Sequence, residues 1–308
     1  MNNQHSFDEK RFEESVREFF CVRRAPFWIS IGVGAVSLLG GVLSFLEYRK
    51  RNIKQRVFSF DRQIRSLQIG SGIDLSLSFG TEQQLIVEAP RRDLDGVICQ
   101  LRGSRLSIRL LPYLMERAAK RKVSVKLQVE ALSSITMGTG SVICADGVNK
   151  VKEFSLEQMG TGSRTLGLNV EALRTKVLLT GNFYTDLALQ GGALCLSMLG
   201  EGTADLTLRK VESVECNMGG KCMVNMDGDA QYLAHRALGH TKMQAYALKL
   251  AKCKVNLSEC AHAEVACEEV ETSNVGDEAK LFLMGKVSGK QNIDLKDNAE
   301  LVFSERML

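Results

Sequence analysis

The chain has 308 residues, 44% of them hydrophobic, with 27 glycines and three prolines, enough to bury a sizeable core as one large domain or two smaller ones. Its formal charge of +4 is local: residues 47–56 hold five basic and one acidic side chain, whereas 57–308 carry 30 of each sign. A neutral body has no overall field to gather nucleic acid, and no nucleic-acid motif accompanies the one basic cluster, ERAAKRKVSVK at 116–126, so no nucleic-acid partner is expected.

Residues 1–24 read as an amphipathic segment. Ser6 and Glu9 fit a capping box, and Phe12, Val16, Phe19 and Phe20 share one face. Such a helix can dock on a partner or a membrane surface, or simply run on until Pro26. Next comes APFWISIGVGAVSLLGGVLSFL, residues 25–46, with no charge in 22 positions. At about 1.5 Å per residue it crosses a hydrocarbon core of about 30 Å. Pro26, Leu38 and Leu46 lie along this predicted single-pass anchor, and Trp28 and Tyr48 sit near its ends, where amphipathic rings favour the headgroups. No small-x-small cleavage site follows, so the anchor is read as retained and the lipid bilayer as a partner. Arg49, Lys50, Arg51, Lys54 and Arg56 form a basic juxtamembrane linker over 47–56. Counted over both flanks, seven Lys/Arg follow the anchor and five precede it, which leans towards a cytoplasmic body.

The body is expected to span 57–308, with 57–133 as its start and cap. Ile73, Leu75, Leu77 and Phe79 share one parity, as do Leu106, Ile108 and Leu110, the period-two signature of strands. From 134 onward the sequence repeats. Cutting before Gly138, Gly160, Gly181, Gly200, Gly219, Gly239, Ser258 and Gly276 gives units of 22, 21, 19, 19, 20, 19 and 18 residues. A period near 20 sustained this long is a solenoid, and a unit that short suits one rung of a parallel β-helix. The seven glycines named are then structural corners, where positive φ or close backbone approach excludes a β-carbon. About eight rungs, each about 4.8 Å thick, make a rod of roughly 35–40 Å. Leu168, Leu189 and Leu208 are expected to stack as one buried file.

Little chemistry is legible. GTGS at 138 and 160 lacks the Lys-Ser/Thr or third glycine of a nucleotide loop, so it reads as a corner. Asp186 and Asp205 each lie five residues after a corner glycine and are expected as outer-face neighbours. The preceding unit offers Thr165 and the following one Val224, so this array ends at two. Outward carboxylates on such rods can bind calcium or act as acid and base on polysaccharide; the plainer reading is a solvated polar face. Nine cysteines form no C-x-x-C. Cys253, Cys260 and Cys267 are evenly spaced near His235, His240 and His262, but small buried hydrophobes are the simpler reading than a metal site. No catalytic constellation, metal or cofactor is expected.

Phe60, Ile64, Leu67, IGSGIDL at 69–75, LIVEAP at 85–90, GSRLSIRLL at 103–111 and the repeated MGTG and LGEG corners resemble the auto-transporter adhesin head (GIN) domain family, common in envelope proteins of the Bacteroidetes. The resemblance covers roughly 57–285. It implies a right-handed β-helix, usually exported and held near an envelope membrane, with no established enzymatic activity. GNFY, GGKC, GHTK and SECA depart from the family's glycine corners, and unpaired cysteines suit a reducing compartment. The expectation is an all-β protein, a right-handed parallel β-helix on an N-terminal transmembrane helix. It acts as a non-catalytic adhesin-like binding or structural module with a periplasmic body. An envelope protein, a glycan or a second copy is the expected partner. Two alternatives are a lyase- or hydrolase-like enzyme acting on glycans through Asp186 and Asp205, and a polymerising scaffold on the cytoplasmic face.

Overall fold

The computed structural model describes residues 53–118, 123–285 and 287–304. The chain divides into two compact units, Met1–Ile53 and Lys54–Leu308. The predicted amphipathic segment, the anchor at 25–46 and Tyr48, Arg49, Lys50 and Arg51 lie outside the described residues. Among the described residues no helix is long and apolar enough to cross a membrane. Lys54 and Arg56, read as linker, belong to a strand, β1 (Ile53–Phe58), and Arg56 reaches Asp95 at 2.7 Å.

The second unit is an all-β solenoid of about eight turns. Its start is not laid down in chain order. Strands β2 (Ser66–Ile69) and β3 (Ile73–Phe79) form the first rung in sequence. The chain then turns back. Strands β6 (Arg105–Leu110) and β7 (Val123–Val129) pair on one side of that rung, and β8 (Ser134–Met137) and β9 (Val142–Asp146) on the other. The outer edge of β6–β7 is covered by two antiparallel strands, β5 (Val97–Arg102) on β6 and β4 (Gln84–Pro90) on β7. Two short helices, α1 (Arg91–Leu94) and α2 (Pro112–Ala118), belong to the same end. Their buried Leu94 and Leu114 extend the core. This arrangement gives the edge's N–H and C=O groups partners that an open rung would leave to solvent or to another chain.

Beyond β9 every pairing is parallel. The short β10 (Val148–Lys150) leads into β11 (Glu153–Glu171), β12 (Arg174–Gln190), β13 (Ala193–Gly239) and β14 (Lys242–Leu257), which run round corners without losing their ladders. The stack then breaks into shorter strands: β15 (His262–Ala266), β16 (Glu269–Val270), β17 (Ser273–Val275), β18 (Lys280–Met284), β19 (Ile293–Leu295) and β20 (Glu300–Ser304). Alternation places every second side chain inside. Leu106, Leu67, Ile135, Leu156, Val177 and Leu196 form one unbroken file across six rungs, each at most 1% exposed. Each such side chain contributes about 1.5–3 kcal/mol of hydrophobic stabilisation.

Three sequence expectations need correcting in register. Leu189 and Leu208 do stack, but Leu168 lies over Leu187, and Val170 completes the file of Leu189 and Leu208. Strand β11 is longer than β12 across this corner, and register shifts at Thr161/Ser163 and Thr165/Leu168 absorb the excess. All these side chains remain buried because the slip totals two residues, which preserves parity. Thr165 follows only the first of these shifts, and a slip of one residue inverts parity, so it is an interior residue paired with Thr185, not an outer neighbour of Asp186. Val224, too, is interior.

The corner column runs Gly160, Gly181, Gly200, with φ of +91°, +90° and +122°. A β-carbon at Gly181 would collide with the carbonyl oxygen of Gly160, and one at Gly200 with that of Gly181. Gly220 and Gly239 continue the column, so Gly219 stands one residue before the left-handed position. Gly138 and Gly276 likewise lack positive φ; nearby Gly140 and Asp277 have it.

Candidate functional site

A rod with a filled interior has only its outer faces and ends for recognition. On the face formed by β3, β9, β11 and β12, one outward column runs Ser124, Asp74, Val142, Arg164, Tyr184, Thr203. Beside it run Lys126, Ser76, Cys144 and Leu166. All of these except Lys126, Tyr184 and Thr203 line a shallow cleft of about 780 Å³, as does the exposed Met115 of α2. Its polar groups are mainly hydroxyls, from Ser71, Ser76, Ser124 and Thr139, together with Asp74 and the guanidinium of Arg164. Arg164 is exposed and makes no ion pair with any described residue.

The two predicted carboxylates stand on β12 and β13. Asp186 and Asp205 are register partners on β12 and β13, both half-buried. Each is already engaged. Asp186 accepts a 3.0 Å hydrogen bond from the backbone N–H of Gly167. Asp205 accepts the Tyr184 hydroxyl at 2.7 Å and the Asn225 amide at 2.7 Å. The bond to Asp205, with a smaller contribution from burial, pushes the Tyr184 phenol up to about 12, so it stays a neutral donor. Asn225, not Val224, is therefore the polar group of the following rung.

The Asp186 contact recurs elsewhere. Lys210, at φ +53°, donates its N–H to Asp229 at 2.7 Å, and Glu259, at φ +59°, donates to Asp277 at 2.7 Å. Gly167 is also left-handed, at φ +65°. In each case an aspartate 18 or 19 residues further on accepts the N–H of a left-handed corner residue. A corner with positive φ turns its N–H out of the ladder, and a short carboxylate from the next rung satisfies it. Asp186 is thus a corner pin.

The interior carries its own polar cluster. Gln158, fully buried in the file of Met137 and Leu179, donates to the carbonyls of Ser163 and Tyr184 at 2.7 and 3.1 Å. Its Oε1 accepts the hydroxyls of Thr165 and Thr185 at 3.0 and 2.8 Å. All the amide's bonds are made, where the β11 bulges free backbone carbonyls from the ladder.

The cysteines and histidines singled out by spacing are dispersed. Cys253 and Cys267 are buried with their sulfurs 3.0 Å apart, while Cys260 is exposed and faces Glu278. His235 is buried with Nδ1 3.2 Å from the Cys216 carbonyl, whereas His262 bonds Glu264 at 2.9 Å. Among the described residues no three His, Cys, Asp or Glu side chains are placed to hold a metal ion.

Arg164, Tyr184 and Asn225 were not singled out by the sequence analysis. Outward parity was the available signal, but the two register shifts in β11 misaligned its columns with those of β12.

The family described as "Putative auto-transporter adhesin, head GIN domain" matches residues 64–186 and 177–286. No curated protein matches the chain. Among solved structures, a "Putative lipid binding protein" from Parabacteroides distasonis superposes with a TM-score of 0.58 at 11% identity, over 82% of this chain and 96% of that one. A "putative adhesin" from the same species gives 0.57 at 15%, over 81% and 97%. Another from Parabacteroides merdae gives 0.54 at 12%, over 82% and 95%. At these identities the likeness concerns the fold.

Proposed function

The chain belongs to the auto-transporter adhesin head (GIN) domain family, and from that premise we propose a non-catalytic, adhesin-like binding module of the cell envelope. In this reading residues 25–46 anchor it in the bilayer, 47–52 link the anchor to the body, and the body is a right-handed β-helix on the extracytoplasmic side. The observation that carries the binding assignment is the hydroxyl-lined cleft with Arg164 at its floor, which makes no ion pair with any described residue. Several hydroxyls, a guanidinium with no ion-pair partner among the described residues and an exposed methionine suit a glycan that carries carboxylates. The family and fold support a binding role. The engagement of Asp186 and Asp205 in structural hydrogen bonds weighs against the alternative in which they serve as acid and base. One structural neighbour is described as a lipid binding protein, which makes lipid the competing ligand class.

Titration of the full chain, in detergent, with uronic-acid polysaccharides tests this reading. Arg164→Ala is expected to weaken binding by about tenfold or more, the size of one charge-assisted hydrogen bond. Equal affinity in wild type and variant, or binding only to lipid vesicles, would reject the assignment.

One observation favours a second reading, a self-associating rod. The last described rung exposes Leu295 and Phe303, at 45% and 41%. Phe303→Asp should lower any concentration-dependent association seen by light scattering; a monomer at all concentrations would dismiss this reading.

A further inference from the structure

Strand β14 carries Cys253 inward, in the file that runs from Leu233 to Val270. Cys267 lies at the corner between β15 and β16, on the following rung. Cys253 is fully buried, Cys267 is 7% exposed, and their sulfurs are 3.0 Å apart. Cys222, by contrast, points its thiol at the carbonyls of Gly200 and Gly219. Cys144 and Cys260 are exposed. The contacting pair falls where the long ladders give way to strands of two to five residues.

We propose that Cys253 and Cys267 are a disulfide site, closed by a disulfide oxidant into a covalent staple between successive rungs. The sulfurs need to approach by only about 1 Å to reach bonding distance. The hydrogen bond from Cys253 holds the Cys267 thiol below its ordinary range, and the same bond, with burial, pushes Cys253 up. Cys267 is therefore the first thiolate, and it is also the one with some exposure. Its sulfur attacks the oxidant disulfide to form a mixed disulfide and expel one thiolate. Cys253 then attacks the Cys267 sulfur, and its proton goes to the second thiolate as that is expelled. Two protons and two electrons leave the pair, and the oxidant is reduced to two thiols. The ring spans 14 positions, so closing it removes loop entropy from the unfolded chain. An exported body would carry the staple and a cytosolic one the free thiols.

The test uses the full chain in detergent with oxidised glutathione as the probe, followed by alkylation under denaturing conditions and peptide mass mapping. The expected result is a Cys253–Cys267-linked peptide, removed by dithiothreitol, and a melting temperature raised by roughly 6–12 °C over the reduced form. Cys253→Ala and Cys267→Ala should each abolish the link and the shift, while Cys144→Ala leaves both intact. Because either core variant can itself lower stability, the linked peptide in the wild type is the deciding measurement. Alkylation of both thiols after oxidation, or links that join other cysteines only, would overturn the proposal.

Discussion

At its beginning the coil reverses direction: β4 and β5 run antiparallel against the first rung in space, and α1 and α2 add Leu94 and Leu114 to its core. At its other end the described chain stays parallel. β20 pairs with β18, Leu301 extends the file of Leu281 but is only half-buried, and Lys290 sits 4.4 Å over the ring of the exposed Phe303. The difference shows that repetition supplies every interior rung with a neighbour but cannot finish an edge. Closing the edge took a segment that breaks both the period and the strand direction. It also predicts that equal substitutions will cost less towards the late end, where interior files run out into solvent.

The sharpest test of that gradient removes a file residue from each region. Leu156→Ala, in the six-rung file, is expected to cost about 2–5 kcal/mol of unfolding free energy in urea, whereas Leu301→Ala costs about 1. Equal losses would break the comparison. Corner glycines give the same contrast. Gly181→Ala forces a β-carbon onto the Gly160 carbonyl at φ +90° and should cost on the order of 3 kcal/mol. Gly276, whose nearest neighbour would be Lys296 Cβ at 3.9 Å, should accept alanine within about 0.5 kcal/mol.

A third test uses pH. Burial pushes His235 down to about 4, against a bond to the Cys216 carbonyl that raises it, and its Nε2 has no partner among the described residues. Between that value and the unfolded value of about 6.5, the unfolded chain binds the extra proton. Stability is therefore complete above pH 6.5 and is lost as pH falls towards 4, by about 3 kcal/mol. His235→Leu should flatten this part of the pH–stability curve; an unchanged slope would assign it to other groups. A smaller loss is expected at the buried amide. Gln158→Leu leaves the Thr185 hydroxyl without its acceptor and Thr165 with only the Met137 sulfur, and should cost about 1–3 kcal/mol, measured by thermal unfolding.

Much of this was legible before any coordinates. Period-two alternation identified the strands at Ile73–Phe79 and Arg105–Leu110, and a period near 20 identified the solenoid. Stacking of Gly160, Gly181 and Gly200, and of Asp186 on Asp205, follows from equal offsets. The same method misplaced Leu168, Thr165 and Val224: the two shifts of β11 together moved Leu168 by a whole file with its burial kept, whereas the first shift alone turned Thr165 inward, and counting from Gly219 instead of the corner Gly220 did the same to Val224. Arg164 and Tyr184 stayed hidden because of the β11 shifts. The chemistry of Asp186 was hidden more deeply: an outward aspartate looks the same in a sequence whether it faces a ligand or the N–H of a corner one rung below.

Alternation and period alone determined that this chain coils as stacked parallel strands, since both are properties of neighbouring residues and of a constant repeat length. What only the tertiary structure decided was the register across the bulges, the reversal that closes the first edge, and which outward groups are already hydrogen-bonded. Each of these depends on residues brought together from different rungs, where geometry in space, rather than distance along the chain, sets which atoms meet.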